Sequence, residues 1–224
     1  SQRPETYPEL VVYENMNVVN PAVSPDDQTQ FTTVFTEKTI QFIKRNKKEP
    51  FFIYLAHPMP HVPLYVSDKF RGKSSQGLFG DVMMEIDWSV GMIINTVKKY
   101  GLMNNTLIIL TSDNGPWLNY GNHAGSTGGL REGKGTTFEG GQRVPCLMMW
   151  KGYIPAGTVC NNMASAIDIL PTLSAITGAP LSDNKIDGVN ILPLMQGNFN
   201  INPREVFYYY YRQNSLEAVR FNNW

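Results

Sequence analysis

Hydrophobic positions along the chain form two helical stripes, several short apolar runs and one long polar interval. Ser24-Pro25-Asp26-Asp27 reads as a helix start, with carboxylates set against the positive end of the helix dipole. Phe31, Val34, Phe35, Thr39, Phe42 and Ile43 follow near helical spacing, and Lys44-Arg45-Asn46-Lys47-Lys48 supplies cations for the last turn. A second helical stretch covers residues 77–100, with Val82, Met83, Ile86, Val90, Ile93, Ile94 and Val97 on one face. Gly101 is placed to cap it.

Phe51-Phe52-Ile53-Tyr54-Leu55-Ala56 and Thr106-Leu107-Ile108-Ile109-Leu110-Thr111 are short continuous apolar runs, as expected for strands buried on both faces. A strand at 144–150 and a helix near 167–177 (Ile167, Leu170, Leu173, Ile176) come next. The order helix–strand–helix–strand implies right-handed crossovers and an α/β domain with a mostly parallel sheet covered on both sides. Residues 1–26 are polar and proline-rich, a loop with a short strand near Leu10-Val11-Val12-Tyr13. The tail changes character: Val206 to Tyr211 and Glu217 to Phe221 read as strands of a small antiparallel sheet.

Composition narrows the function. With 224 residues, 42% of them hydrophobic, the chain can bury a real core, which excludes disorder, collagen and coiled coil. Its 19 basic residues balance 19 acidic ones, so it lacks the footprint of a nucleic-acid or anionic-membrane binder. No apolar run approaches the roughly 20 residues needed to span a bilayer. Cys146 and Cys160 are too few for a disulfide scaffold and are not at a zinc spacing. Cys146 lies in an apolar run and is expected to be buried; sequence leaves a bridge to Cys160 open. Asn104-Asn105-Thr106 matches a glycosylation acceptor, which counts only in a secreted eukaryotic protein.

In helix-covered parallel sheets ligands bind at the carboxyl ends of strands. Here those ends carry His57-Pro58-Met59-Pro60-His61 and Ser112-Asp113-Asn114-Gly115, the second leading into a glycine-rich loop over 115–141. Asp113 and Asn114 offer a carboxylate and an amide oxygen side by side, ligands suited to calcium or magnesium. Calcium needs six or more oxygens, so others must come from elsewhere. The competing reading is an Asx turn into Gly115-Pro116. His61, bracketed by prolines, could act as hydrogen-bond donor or general acid, whereas His57 reads as structural. Lys134, between Gly133 and Gly135, could place an ammonium against an anion; Gly135 stands where a nucleotide phosphate loop needs Ser or Thr. Trp117, Tyr120, Asn122 and His123 could line a sugar subsite or merely order the loop. Arg131 and Glu132 could contact substrate or pair with each other. Metal ligands, a lysine and a histidine together outline a site for an oxyanion ester.

These residues carry a resemblance. Pro50-Phe51-Phe52-Ile53-Tyr54-Leu55-Ala56-His57-Pro58-Met59-Pro60-His61-Val62-Pro63 resembles the strand-and-histidine segment of type I sulfatases, and Thr111-Ser112-Asp113-Asn114-Gly115 their metal-binding strand end. Gly133-Lys134-Gly135-Thr136-Thr137-Phe138-Glu139-Gly140-Gly141 with Arg143-Val144-Pro145 is similar to their substrate-lysine signature. Asp168-Ile169-Leu170-Pro171-Thr172-Leu173 and Ile186-Asp187-Gly188-Val189 match further segments in order. The chain is thus identified as a member of the arylsulfatase-like branch of the alkaline-phosphatase superfamily.

The resemblance implies an alkaline-phosphatase-like α/β fold, a mixed, mostly parallel sheet sandwiched by helices, with a smaller C-terminal antiparallel subdomain. It implies hydrolysis of aryl or carbohydrate sulfate esters by a formylglycine hydrate with a bound metal, calcium first and magnesium second. Asp113 and Asn114 would be metal ligands, Lys134 would bind the sulfate oxygens, and His61 would contact the sulfate or leaving oxygen. Outside that carry-over, His123, Trp117, Asn122 and Arg131 remain candidate contacts, read from the loop alone, for a sulfated small molecule or glycan. The location implied is periplasmic, secreted or lysosomal. No cysteine or serine stands in the family's Cys/Ser-x-Pro-x-Arg nucleophile pattern, the lysine–x–histidine pair is absent, and Asp26-Asp27 opens a helix instead of ending a strand. The chain is therefore expected to be a fragment: residues 1–195 the second part of the α/β domain, 196–224 the start of the C-terminal subdomain. A non-catalytic sulfatase-like binding protein and a phosphoester or phosphonate hydrolase are the alternatives.

Overall fold

Ser24 starts the first long helix by a reciprocal pair of bonds. In the computed structural model, which describes residues 7–224, its hydroxyl accepts the Asp27 amide at 3.1 Å and its own amide donates to the Asp27 carboxylate at 2.8 Å. Pro25 then pre-sets the first turn of α1, Pro25–Asn46. A hairpin of β1, Val12–Glu14, and β2, Asn17–Asn20, precedes it, in place of the single short strand expected there; the part of that expectation covering 1–6 lies outside the described residues. Helix α2, Gly77–Lys99, ends where Gly101 takes φ +72. Gly101 and Leu102 donate back to Lys98 and Val97, both at 3.0 Å, which closes the last turn.

The buried stripe of α1 differs from the expected one. It runs through Thr32, Thr36, Thr39 and Ile43, while Val34 and Phe42 are exposed. The hydroxyls explain the choice. Thr36 Oγ1 lies 2.6 Å from both the Thr32 carbonyl and the Ser89 hydroxyl of α2, and Thr33 donates to Glu85 at 3.0 Å. Ser67 N–H donates to the other oxygen of Glu85, also at 3.0 Å, so this fully buried carboxylate is satisfied from two sides. The apolar core near α2 is Met59, Leu64, Val66, Phe70 and Val82, with Leu78, Phe79, Ile86 and Trp88 against it; Met83, expected inside, is exposed.

The strand expected at 51–56 makes no ladder with another strand among the described residues. Burial alternates along it, with half-buried Phe51, Ile53 and Leu55 against exposed Phe52, Tyr54 and Ala56, so one face is covered and not two. The Phe51 ring meets Phe42 of α1 edge-on at 6.4 Å. Three pairings form among the described residues, all antiparallel: β1 with β2, β3 (Ile108–Thr111) with β4 (Cys146–Met149), and β5 (Val206–Tyr211) with β6 (Ser215–Phe221). The chain is α/β, and it divides into two compact units. One runs up to Leu102 with Asn119–Gly125; the other is Met103–Leu118 with Ser126–Trp224.

In the second unit, β4 places Cys146 opposite Thr111. Cys146 is exposed, contrary to expectation, because the β3–β4 pair has no third strand among the described residues. Both cysteines are free thiols. Helix α3 is the single turn Glu139–Gln142, α4 is Ile169–Thr177 and α5 is Leu192–Met195. Ile191, Leu194 and Met195 form the apolar centre, with Leu107 and Met148 packed on it. The polar centre is Asp168, fully buried. It pairs with Arg204 through both carboxylate oxygens and accepts the Ser165 and Val189 amides, each at 2.8 Å. Arg204 also reaches the Asp187 carbonyl at 3.1 Å. Removing one member of a buried pair strands the other charge. Asp168→Ala and Arg204→Ala are each expected to lower unfolding free energy by about 3–5 kcal/mol in urea titrations, whereas a loss under about 1 kcal/mol would show the pair to be dispensable.

Candidate functional site

The β3–β4 ladder stops at Thr111, whose hydroxyl donates to the Pro145 carbonyl at 3.1 Å. Ser112 Oγ then donates to the Asn114 carbonyl at 3.0 Å, turning the chain outward. Asp113 is exposed and Asn114 half-buried, and neither side chain has a hydrogen bond among the described residues. The competing Asx turn is therefore not formed. Two hard oxygen-bearing groups stand side by side with their lone pairs unspent, which suits calcium chemistry. No group of three or more His, Cys, Asp or Glu able to hold a metal occurs among the described residues.

From Gly115 onward, backbone packs directly on backbone. The Gly115 amide donates to the Gly141 carbonyl at 2.9 Å, and a Cβ on Gly115 would sit 1.8 Å from the Gly140 oxygen. A Cβ on Gly140 would meet the Glu132 carbonyl at 2.1 Å, and one on Gly133 the Pro116 carbonyl at 2.4 Å. Real side chains do not tolerate such distances, so glycine is required at each of these positions. The Lys134 amide donates to the same Pro116 carbonyl at 2.9 Å. The strand end with Asp113 and Asn114 is thus tied to the lysine segment by main-chain bonds at Gly115 and at Pro116.

Lys134 is half-buried, its ammonium 5.6 Å from the centre of the Trp117 ring and in no ion pair among the described residues. A ring face holds a cation without neutralising it. Arg131 stacks its guanidinium 3.8 Å from the Phe138 ring centre, and no ion pair joins it to Glu132. Glu139, at the start of α3, takes Arg220 of β6 at 2.9 Å and Arg143 at 3.5 Å. The sequence does not mark Glu139 and Arg220 as a pair, since 81 residues separate them and nothing local joins them.

His61, Asn122 and His123 belong to the other unit, and all three are exposed. His61 Nδ1 lies 2.7 Å from the Val62 carbonyl. A carbonyl only accepts, so Nδ1 carries the hydrogen of this bond. Asn122 and His123 sit on short helical turns over 118–123, next to a close approach of Gly125 (φ +80) to Phe79, where a Cβ would come 2.6 Å from the ring. His57 is held within its unit. Its Nε2 lies 3.1 Å from Ser89 Oγ, and its Nδ1 is buried with no hydrogen-bond partner among the described residues.

A protein-family profile described as "Sulfatase" matches residues 3–179. N-acetylgalactosamine-6-sulfatase of Canis lupus familiaris is 38% identical over 222 residues, covering 95% of this chain and 42% of that protein. Arylsulfatase A of Bos taurus is 43% identical over 166 residues, 74% of this chain and 32% of that protein. Among solved structures, the PsFucS1 sulfatase from Pseudoalteromonas sp. superimposes with a TM-score of 0.85 at 30% identity, over 92% of this chain and 42% of that one. The chain therefore spans about two fifths or less of the length of these relatives.

His57 offers a test that needs no substrate. Burial pushes its pKa below the usual histidine value near 6.5, partly offset by the charge of Glu85. As pH falls below about 6.5, the unfolded chain takes up a proton that the folded chain refuses, so stability falls with pH until the folded value is reached. Urea midpoints measured from pH 7.5 to 5 are expected to drop less in His57→Gln than in the parent; equal slopes would mean that His57 titrates normally.

Proposed function

This chain belongs to the sulfatase family, with the alkaline-phosphatase-like α/β fold, and we propose that it supplies the lysine-and-metal part of an active site that hydrolyses sulfate esters. The observation that carries the proposal is the main-chain tie at Pro116. It joins the segment of Lys134, whose ammonium has no carboxylate partner among the described residues, to the strand end that bears Asp113 and Asn114. A sulfate ester carries negative charge on its peripheral oxygens and gathers more on the ester oxygen as the S–O bond breaks. Fixed positive charge at those atoms lowers the barrier.

Each residue then has a task. Lys134 binds a sulfate oxygen through Nζ, with the Trp117 face holding the ammonium in place. Asp113 and Asn114 would hold calcium, with magnesium the second candidate, and a bound divalent ion supplies further positive charge toward the sulfate oxygens. His61, protonated at Nε2, donates to the leaving oxygen and returns to the neutral form held by Nδ1–H to Val62. Asn122, His123 and Arg131 contact the alcohol portion, a sulfated small molecule or glycan. The nucleophile, formylglycine by resemblance, has no matching residue among these 224, so no step is assigned to it. In the longer protein, residues 1–195 would be the second part of the α/β domain and 196–224 the start of the C-terminal subdomain. No described helix is long and apolar enough to cross a membrane, and a periplasmic, secreted or lysosomal enzyme is proposed.

The test uses the full-length protein with 4-nitrophenyl sulfate. Turnover should fall on chelation and return with added calcium, and Lys134→Ala should lower it by at least about tenfold. Turnover that survives chelation would remove Asp113 and Asn114 as ligands, and near-normal turnover in the variant would remove Lys134. Hydrolysis of 4-nitrophenyl phosphate alone would replace the proposal by a phosphoesterase, and no turnover of either ester by a non-catalytic binding protein.

A further inference from the structure

The site is built on a helix only one turn long, and something must hold that turn. The three glycine contacts that join Asp113-Asn114 to Lys134 all run through residues 139–142 or the loop just before them. A four-residue helix has too few internal bonds to hold its own place. It is fixed at one end by Gly140 N–H to the Arg131 carbonyl at 2.8 Å and by Gln142 Nε2 to the Thr136 carbonyl at 2.8 Å. Both of those bonds stay within the same loop, and the Gly115 amide to the Gly141 carbonyl at 2.9 Å is the main-chain bond that ties it to the strand end.

A side-chain anchor comes from the C-terminal hairpin. Arg220 on β6 donates through Nη1 to Glu139 at 2.9 Å and through Nε to the Asn222 carbonyl at 3.0 Å. Its side chain is 27% exposed and that of Glu139 38%, so the pair is part-buried, and the guanidinium is gripped at two separate nitrogens. Arg143 approaches the second carboxylate oxygen at 3.5 Å, which leaves Glu139 bridged between two cations. The neighbouring Tyr209 of β5 feels the same carboxylate: burial and the charge of Glu139 push its phenol above its usual pKa, and Arg220 pulls it back. The hairpin also reaches the lysine segment, with the Tyr211 hydroxyl 3.4 Å from where a Cβ on Gly135 would stand.

We infer that Glu139 and Arg220 are positioning residues: their ion pair clamps α3 to the β5–β6 hairpin and thereby fixes Gly141 under Gly115, holding the Asp113-Asn114 strand end and Lys134 in working register. This rests on the proposed sulfatase activity for its catalytic consequence, but the structural consequence stands apart from it. Misplacement of charged groups by a fraction of an ångström weakens transition-state contacts more than ground-state binding. The clamp therefore acts on kcat more than on KM.

The experiment uses the full-length protein and four forms: parent, Glu139→Gln, Arg220→Gln and the exchanged pair Glu139→Arg/Arg220→Glu. Hydrogen exchange is followed at the Gly115 and Lys134 amides and at the β3–β4 amides, alongside kcat and KM for 4-nitrophenyl sulfate. Each single variant should speed exchange at Gly115 and Lys134 at least about tenfold with the β3–β4 amides unchanged, and lower kcat roughly tenfold with KM within about twofold. The exchanged pair should recover part of both. Unchanged exchange at Gly115 in the single variants would overturn the clamp. Faster exchange spread equally over β3 and β4, with a matching loss of thermal stability, would overturn it in favour of a general structural role. A parent enzyme inert toward sulfate esters would contradict the functional proposal, and exchange at Gly115 would still decide the clamp.

Discussion

The contact between the backbone of Gly115 and that of Gly140 and Gly141 is the constraint on which the candidate site depends. Carbonyl oxygens occupy the space where side chains would otherwise begin, and only residues without Cβ let the strand end and the lysine loop close to 2.9 Å. Main-chain bonds at Gly115 and Pro116 fix direction as well as distance. The glycines that make the 115–141 loop conformationally expensive to order are the same ones that permit the approach.

Away from that contact, each compact unit is organised around a buried carboxylate. Glu85 is met by Thr33 and the Ser67 amide, and Asp168 by Arg204 and two amides. In both cases the carboxylate draws segments distant in sequence onto one point, and each satisfied oxygen excludes alternative packings in which it would be stranded. The consequence is a polar interior between α1 and α2, where hydroxyls take the positions that aliphatic side chains hold in an ordinary helix pair.

Local chemistry was legible in the sequence, and long-range pairing was not. Ser24 to Asp27 announced the start of α1, Gly101 its counterpart at the end of α2, and the aromatic run of β5 its hairpin with β6. Such signals act within five or six residues. The apolar spacing of Phe31, Val34 and Phe42 was a poorer guide, because periodicity registers greasy positions and cannot know that Thr36 has a hydroxyl partner 53 residues away in α2. The same blindness hid Arg220 opposite Glu139 and left Cys146 assigned to an interior that two strands do not enclose. Lys134 and Asp113-Asn114 were visible as chemistry beside glycine, but the bond that joins them through Pro116 is a property of the folded backbone.

The central claim is that one bound sulfate ester engages Lys134 and an ion held by Asp113 and Asn114 at the same time. Crystals of the full-length protein grown with calcium and soaked with a sulfated sugar test it directly. The account predicts one sulfate group with an oxygen within hydrogen-bond distance of Lys134 Nζ and another on a calcium ion ligated by Asp113 and Asn114. A sulfate seated elsewhere, or calcium bound away from those two residues, would contradict it.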